Sequence, residues 1–406
     1  MRPSPFSVTL LGAILVLPFP TRACADPARA NHAGSQEQFA LLTRMQIKGD
    51  AGKVLGLLSP EAYRAEFRHL RRKFHEIDLK GPAVETDGWT HNIPEAEWPF
   101  MEAAYLGYAA CNLAQNDPSF REEALAEARW LIEAMQTPRL SGFIAPHFGP
   151  PFGNEINPST FVHGHFLSLA VRYREASGDS RYDAVIHRVA SALAREFGKS
   201  DQAILRSYKD MWWVTDNCPS LSALTRYGRL FQRDPSKHTT RFVESIRQFY
   251  LDKDTGLFCT YLDPTEGRQL QGPRGISVMY GLHFLRDIDP DFASEQWALA
   301  RRHLVRTAVG LAAVREFPEG ASGEGDVDSG PVLFGLGPSA SGFAVAAAAV
   351  MDDRETVEQL LRASVLAGAP VYAGGELRYT MMPTVGQTVI LFGKTTLRGS
   401  NKAIPR

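Results

Sequence analysis

TFVHGHFLSLAVRYREASGDSRYDAVIHRVASALAREF, residues 160–197, is the stretch that decides the fold. Its first half, Thr160–Ala176, is apolar or small on nearly every side, the signature of a helix buried all round. Gly178-Asp179-Ser180 then breaks the run. Glycine ends a helix readily, and Asp or Ser before an amphipathic run serves as its N-cap. The second half, Tyr182–Phe197, carries one apolar stripe and charges elsewhere, as an outer-layer helix does. The stretch is a helical hairpin with an inner and an outer arm.

The same turn recurs as Asp117-Pro118-Ser119, Asp234-Pro235-Ser236, Asp289-Pro290-Asp291 and Asp352-Asp353-Arg354. A repeat of about 55–64 residues marks a repeated supersecondary unit. Inner helices are expected at Phe100–Ala114, Thr160–Ala176, Ser220–Phe231, Ile276–Leu285, Ala340–Val350 and Pro383–Phe392. Outer helices are expected at Pro60–Ile77, Phe120–Met135, Tyr182–Phe197, Thr239–Tyr250, Phe292–Val309 and Glu355–Ala367. Six of each predict an all-α fold, an (α/α)6 toroid of six hairpins. A linear solenoid is the competing arrangement, with short connections on both edges. Here one edge has tight turns and the other long loops, which suits a closed ring with one functional face.

The chain has 406 residues, 44% hydrophobic and 22% charged, with net charge −1. That balance excludes disorder and gives no electrostatic reason to expect nucleic acid or an anionic membrane as partner. Length alone allows two or three domains; the repeat instead fills one domain over residues 59–406, preceded by an extension at 26–58. Residues 1–25 read as a secretory signal: Arg2, an apolar run from Val8 to Phe19, then Ala23-Cys24-Ala25 as the cleavage site. The apolar run is too short to span a bilayer, so an exported, periplasmic or secreted protein without a membrane span is expected. Cys24 raises a lipid anchor, which Arg22 disfavours. Cys111, Cys218 and Cys259 remain. Export would allow a Cys218–Cys259 disulfide, and Cys111 reads as a buried small hydrophobe.

The long loops run from each outer helix to the next inner one, so they share a face with the inner-helix N-termini. Asp326 and Asp328 lie in the glycine-rich run Gly323–Pro331. Neighbouring carboxylates push their proton affinities apart, which equips one as acid and the other as base; turn and N-cap chemistry is the plainer role. Asp216 precedes an inner helix beside Trp212 and Trp213, aromatics that either pack or stack on a ligand. His163 and His165 do not share a helical face, so one of them, His165, is the candidate for the cavity. No metal site or cofactor motif is evident, and none is expected.

Val162-His163-Gly164-His165 through Arg181-Tyr182, Val214-Thr215-Asp216-Asn217, Asp252–Tyr261, Val314-Arg315-Glu316 through Asp328, and Leu377-Arg378-Tyr379 together resemble the bacterial linalool dehydratase/isomerase family, exported α/α toroids. The resemblance implies an active-site role for His165. It places the family's two active-site cysteines on Ser207 and Asp216, and its acidic N-terminal loop residue near Asp87. It adds Ser207, Asn217, Glu316 and Tyr379 to the tryptophans as expected substrate contacts, and it permits a homo-oligomer.

The expectation is therefore an exported enzyme that cleaves or rearranges a C–O bond of a small hydroxylated molecule by acid/base catalysis. Asp216, Asp326 and Asp328 would supply acid and base, with His165 and Tyr379 orienting the substrate. A sugar hydrolase on the same fold and a non-catalytic binding protein are the alternatives. A polar cleft with exposed tryptophan would favour the sugar, a closed apolar pocket the alcohol.

Overall fold

The computed structural model describes residues 46–48, 54–81, 97–326 and 328–397. Among them, twelve main helices alternate as outer and inner: α1 Pro60–Phe74, α2 Glu97–Asn116, α3 Arg121–Met135, α4 Thr160–Ser177, α5 Asp183–Lys199, α6 Val214–Phe231, α7 Ser236–Phe249, α8 Gly275–Ile288, α9 Pro290–His303, α10 Pro338–Val350, α11 Arg354–Gly368 and α12 Thr384–Thr396. The even-numbered helices pack successively, α2 on α4, α4 on α6, and so on round to α12 on α2. The inner ring is closed, and the expected toroid is present; a linear solenoid would leave α2 and α12 apart.

The repeat works through its aspartates. Asp117, Asp179, Asp234, Asp289 and Asp353 each accept a backbone N–H at 2.8–3.2 Å in the turn that opens an outer helix. Inner helices approach closely where side chains are small. A Cβ at Gly164 in α4 would stand 2.5 Å from Ser220 Oγ and 2.8 Å from its backbone nitrogen in α6, so glycine is required at that crossing.

Two helix starts and one helix end differ from expectation. α2 begins at Glu97, not after Pro99, because proline is tolerated in a first turn where N–H groups lack acceptors anyway, and α6 begins at Val214 and runs on through Pro219 in its second turn. The outer helix expected to reach Val309 stops at His303. Val305–Ala308 instead pairs with Leu311–Val314 across Val309-Gly310, both at positive φ. Such ribbons recur at Gln46–Lys48/Val54–Gly56 and Pro370–Ala373/Glu376–Tyr379, and Trp212–Trp213, Tyr261–Asp263 and Arg268–Gln271 form a small sheet. Cys111, Cys218 and Cys259 are buried free thiols, so no Cys218–Cys259 bridge forms. The signal segment lies outside the described residues. No described helix is long and apolar enough to cross a membrane.

The ring closes through charge. Lys394 of α12 donates to Glu66 of α1 at 2.7 Å and to the Tyr379 hydroxyl at 2.8 Å, with Glu66 and Lys394 both sealed from solvent. Tyr379, expected at the substrate, is thus committed to this clasp; it lies in the last ribbon, packed on α1, away from the cavity. Removing one ion strands the other without water. Lys394→Met should cost about 3–5 kcal/mol in denaturant unfolding, and the double variant Glu66→Met/Lys394→Met should recover most of the loss.

Candidate active site

The inner-helix N-termini and the loops above them enclose a cavity of about 850 Å³. Its wall is mainly hydrocarbon and aromatic: Trp98, Met101, Phe161, Trp213, Ile276, Tyr280, Phe343, Val389 and Ile390 contribute. Into this lining project Glu97, Asp216, Asp326 and Asp328.

Glu97 stands in the first turn of α2 and Asp216 in the first turn of α6. Helix N-termini favour carboxylate anions by about 0.3–1 kcal/mol. Desolvation opposes this and wins. Burial, a hydrogen bond from Ser207 and the charge of Asp328 leave Asp216 pushed up to about 7. Glu97 is raised as well, by burial and by the charges of Asp328 and Asp216, with the Tyr208 hydroxyl as its hydrogen-bonding partner. Asp328 keeps an open edge on the cavity but is surrounded by protein elsewhere; burial and the charge of Asp326 push it up to about 7 as well. The three carboxyls sense one another's charge and titrate as a coupled set. At neutral pH such a set holds protons and a free carboxylate together.

Asp326 behaves differently. Arg274 grips it with Nη1 at 2.5 Å and Nη2 at 2.8 Å, which holds its carboxyl below the usual range despite partial burial. It reaches the cavity as a fixed anion, not as an acid. Glu316 does not reach the cavity: fully buried, it accepts from Arg274 Nε at 2.8 Å.

The remaining expected contacts sort by their packing. Trp213 lines the cavity, whereas Trp212, its neighbour in an extended strand, points to the opposite face. Asn217 spends its amide on the backbone of Leu205 and Trp213, at 2.7–3.1 Å, and ties the loop to α6. Ser207 is sealed behind Asp216 and touches it, so the structure brings the two matched positions together. Asp87 lies outside the described residues.

His165 is enclosed beneath the floor. Its Nδ1 lies 2.9 Å from the Tyr108 hydroxyl, which also donates to the His165 carbonyl at 3.2 Å. A carbonyl only accepts, so the Tyr108 proton goes there and Nδ1–H donates to Tyr108. Nε2 then accepts from Tyr280 at 2.6 Å. Burial drives His165 down to about 3, so it is neutral. His165 acts on the cavity through Tyr280, whose oxygen is left with lone pairs facing in.

Glu97, Tyr280 and Arg274 were not singled out by sequence. A signal existed: the three acids with raised proton affinities each precede a proline by two or three residues, as Glu97-Trp98-Pro99, Asp216-Asn217-Cys218-Pro219 and Asp328-Ser329-Gly330-Pro331.

Fold and site together define an α/α toroid with a central, carboxylate-bearing cavity. The chain belongs to the linalool dehydratase/isomerase family, whose sequence profile matches residues 161–385. No curated protein sequence matches it. Among solved structures, the unsaturated glucuronyl hydrolase of Bacillus sp. GL1 covers 84% of this chain and 97% of its own at 13% identity, TM-score 0.56. The α-1,6-mannanase GH76A of Salegentibacter sp. HEL1_6 covers 83% and 98% at 11% identity, TM-score 0.53. A family 105 glycoside hydrolase of C. acetobutylicum covers 82% and 99% at 9% identity, TM-score 0.53. At these identities the likeness is one of fold.

The raised Asp216 has a stability consequence. Its folded value, about 7, exceeds the ordinary 3.8, so its contribution is full below pH 4 and is lost as pH rises through 7. Asp216→Asn removes that loss. The variant's stability relative to wild type should improve by on the order of 2 kcal/mol between pH 5 and pH 8, read by urea unfolding at both values.

Proposed function

We propose that the protein is an acid/base lyase or isomerase that removes or moves the hydroxyl of a small, largely apolar alcohol. The observation that carries this reading is the set Glu97, Asp216 and Asp328, with raised proton affinities, inside a mainly apolar, aromatic cavity. Family membership supports the same chemistry.

In this reading Glu97, its proton held on by burial and by the charges of Asp328 and Asp216, donates that proton to the substrate hydroxyl. The C–O bond breaks with its electron pair on oxygen, and water departs. The faces of Trp98, Phe161, Trp213 and Phe343 stabilise the positive carbon by cation–π attraction, worth about 2 kcal/mol when desolvated. Asp328 takes the proton from the adjacent carbon, and that C–H electron pair becomes the double bond. In the isomerisation, water instead adds to another carbon of the delocalised cation before that proton is lost, and the new oxonium gives a proton back to the Glu97 carboxylate. The Tyr280 oxygen, with its proton committed to His165, accepts the substrate O–H and orients it. The polar, open cleft expected for a sugar fits the lining less well. We further propose that residues 1–25 direct export.

The test is turnover of a panel of tertiary and allylic alcohols, with aryl glycosides alongside, by product chromatography. Alkene or rearranged alcohol should form, with Glu97→Gln and Asp328→Asn each lowering kcat about 10²–10⁴-fold while alcohol binding persists. Turnover should fall on the alkaline side as the set ionises above about pH 7. Glycoside hydrolysis with no alcohol conversion would replace this reading by the sugar one. Binding without turnover on either panel would leave a binding protein.

A further inference from the structure

Arg274 is the N-cap residue of α8, nearly sealed from solvent, and its side chain forks between two acids. Nε and Nη2 meet Glu316 Oε1 at 2.8 and 2.7 Å, while Nη1 and Nη2 grip both oxygens of Asp326. Asp326 Oδ1 also accepts the Ser329 N–H at 3.0 Å, and Ser329 Oγ returns bonds to the Asp326 N–H and carbonyl. The turn closed between residues 326 and 329 holds Asp328. Glycine at 275 lets this assembly pack, since a Cβ there would stand 2.0 Å from the Arg315 carbonyl oxygen. Glu316 is fully buried behind the Arg274 guanidinium.

We propose that Arg274 is a positioning residue for Asp328: by clamping Asp326 it fixes the turn that presents Asp328 to the cavity, and with Glu316 behind it sets the charge that Asp328 senses. The groups facing Asp328 are Asp326 and Arg274 in the clamp, Glu316 beneath it, Glu97 from α2, and Asp216 with Tyr208 beside α6. Arg274 draws the Asp328 proton off; Asp326 and Glu316 hold it on. The kinetic consequence rests on the acid/base role of Asp328, but the charge coupling does not.

Full-length protein labelled with γ-13C aspartate tests this without substrate, the Asp328 resonance being assigned by its loss in Asp328→Asn. Arg274→Lys keeps the charge but loses the fork, so the Asp328 midpoint should rise by about half a unit or more; Glu316→Gln should lower it by a similar amount. Arg306→Gln, which removes an exposed pair with Glu319, should leave it in place. An unmoved midpoint in folded Glu316→Gln and Arg274→Lys, or an equal shift in Arg306→Gln, overturns the proposal; if Arg274→Lys does not fold, Glu316→Gln decides alone. On a converted alcohol, Arg274→Lys should cut kcat about tenfold with KM retained and displace the alkaline limb. Shifted midpoints in a protein that converts no alcohol would sink the proposed function and leave this coupling standing.

Discussion

The salt bridge between Glu66 and Lys394 joins the first outer helix to the last inner one, and the closed ring depends on that union. Five hairpins can form from neighbouring sequence, each with its aspartate in the turn. The sixth differs: among the described residues, no outer arm follows α12 and no inner arm precedes α1. Bringing residues 328 positions apart together costs loop-closure entropy that local contacts do not offset. A fully buried ion pair with a tyrosine as third member gives the docking one register, because any slip leaves a charge unsolvated.

Closure has a chemical consequence. Six inner helices arranged in a ring with the same sense place their N-termini on one face, and the connections on that face must be long enough to cross from outer to inner layer. The acids of the site sit in those first turns and that loop layer. Helix ends attract carboxylate anions by at most about 1 kcal/mol, but the apolar and aromatic lining withdraws water, and the rise of Asp216 to about 7 corresponds to roughly 4 kcal/mol before relaxation. The cavity therefore holds protons at neutral pH because it is apolar.

The architecture was legible because both of its signals are local. Aspartate in the turn and a switch from all-round to one-sided apolarity are properties of contiguous residues. The site was legible only in part, because pointing direction is a tertiary property. Asp216, Asp328 and Trp213 do line the cavity; Trp212 shares their sequence context and faces the other way. Glu97 was hidden by the assumption that Pro99 delimits the helix, when a first-turn proline extends it. Glu316 and Tyr379 matched family positions, yet their side chains are spent on Arg274 and Lys394. His165, expected to orient the substrate, lies beneath the floor and reaches the cavity only through Tyr280, which no local pattern marks. The ribbons were missed because a helical pattern and a four-residue strand look alike until paired, although Gly374-Gly375, both at positive φ, is hairpin chemistry.

The departure from the family pattern gains a physical meaning at Ser207 and Asp216. The resemblance places cysteines at these positions, and here a hydroxyl and a carboxyl occupy them in contact. Depth decides what each residue type can do there. Cys218, two residues further along α6, is driven far above the ordinary thiol range by the same burial and by the charge of Asp216, so a neutral thiol at this depth keeps its proton throughout the physiological range. A carboxyl starts several units lower, and the same desolvation brings Asp216 to about 7, where its proton can be exchanged. With Asp216 the inner-helix turn supplies a titrating group, and its charge in turn helps hold the proton on Glu97. The acids proposed for this cavity are thus carboxyls that influence one another's protons.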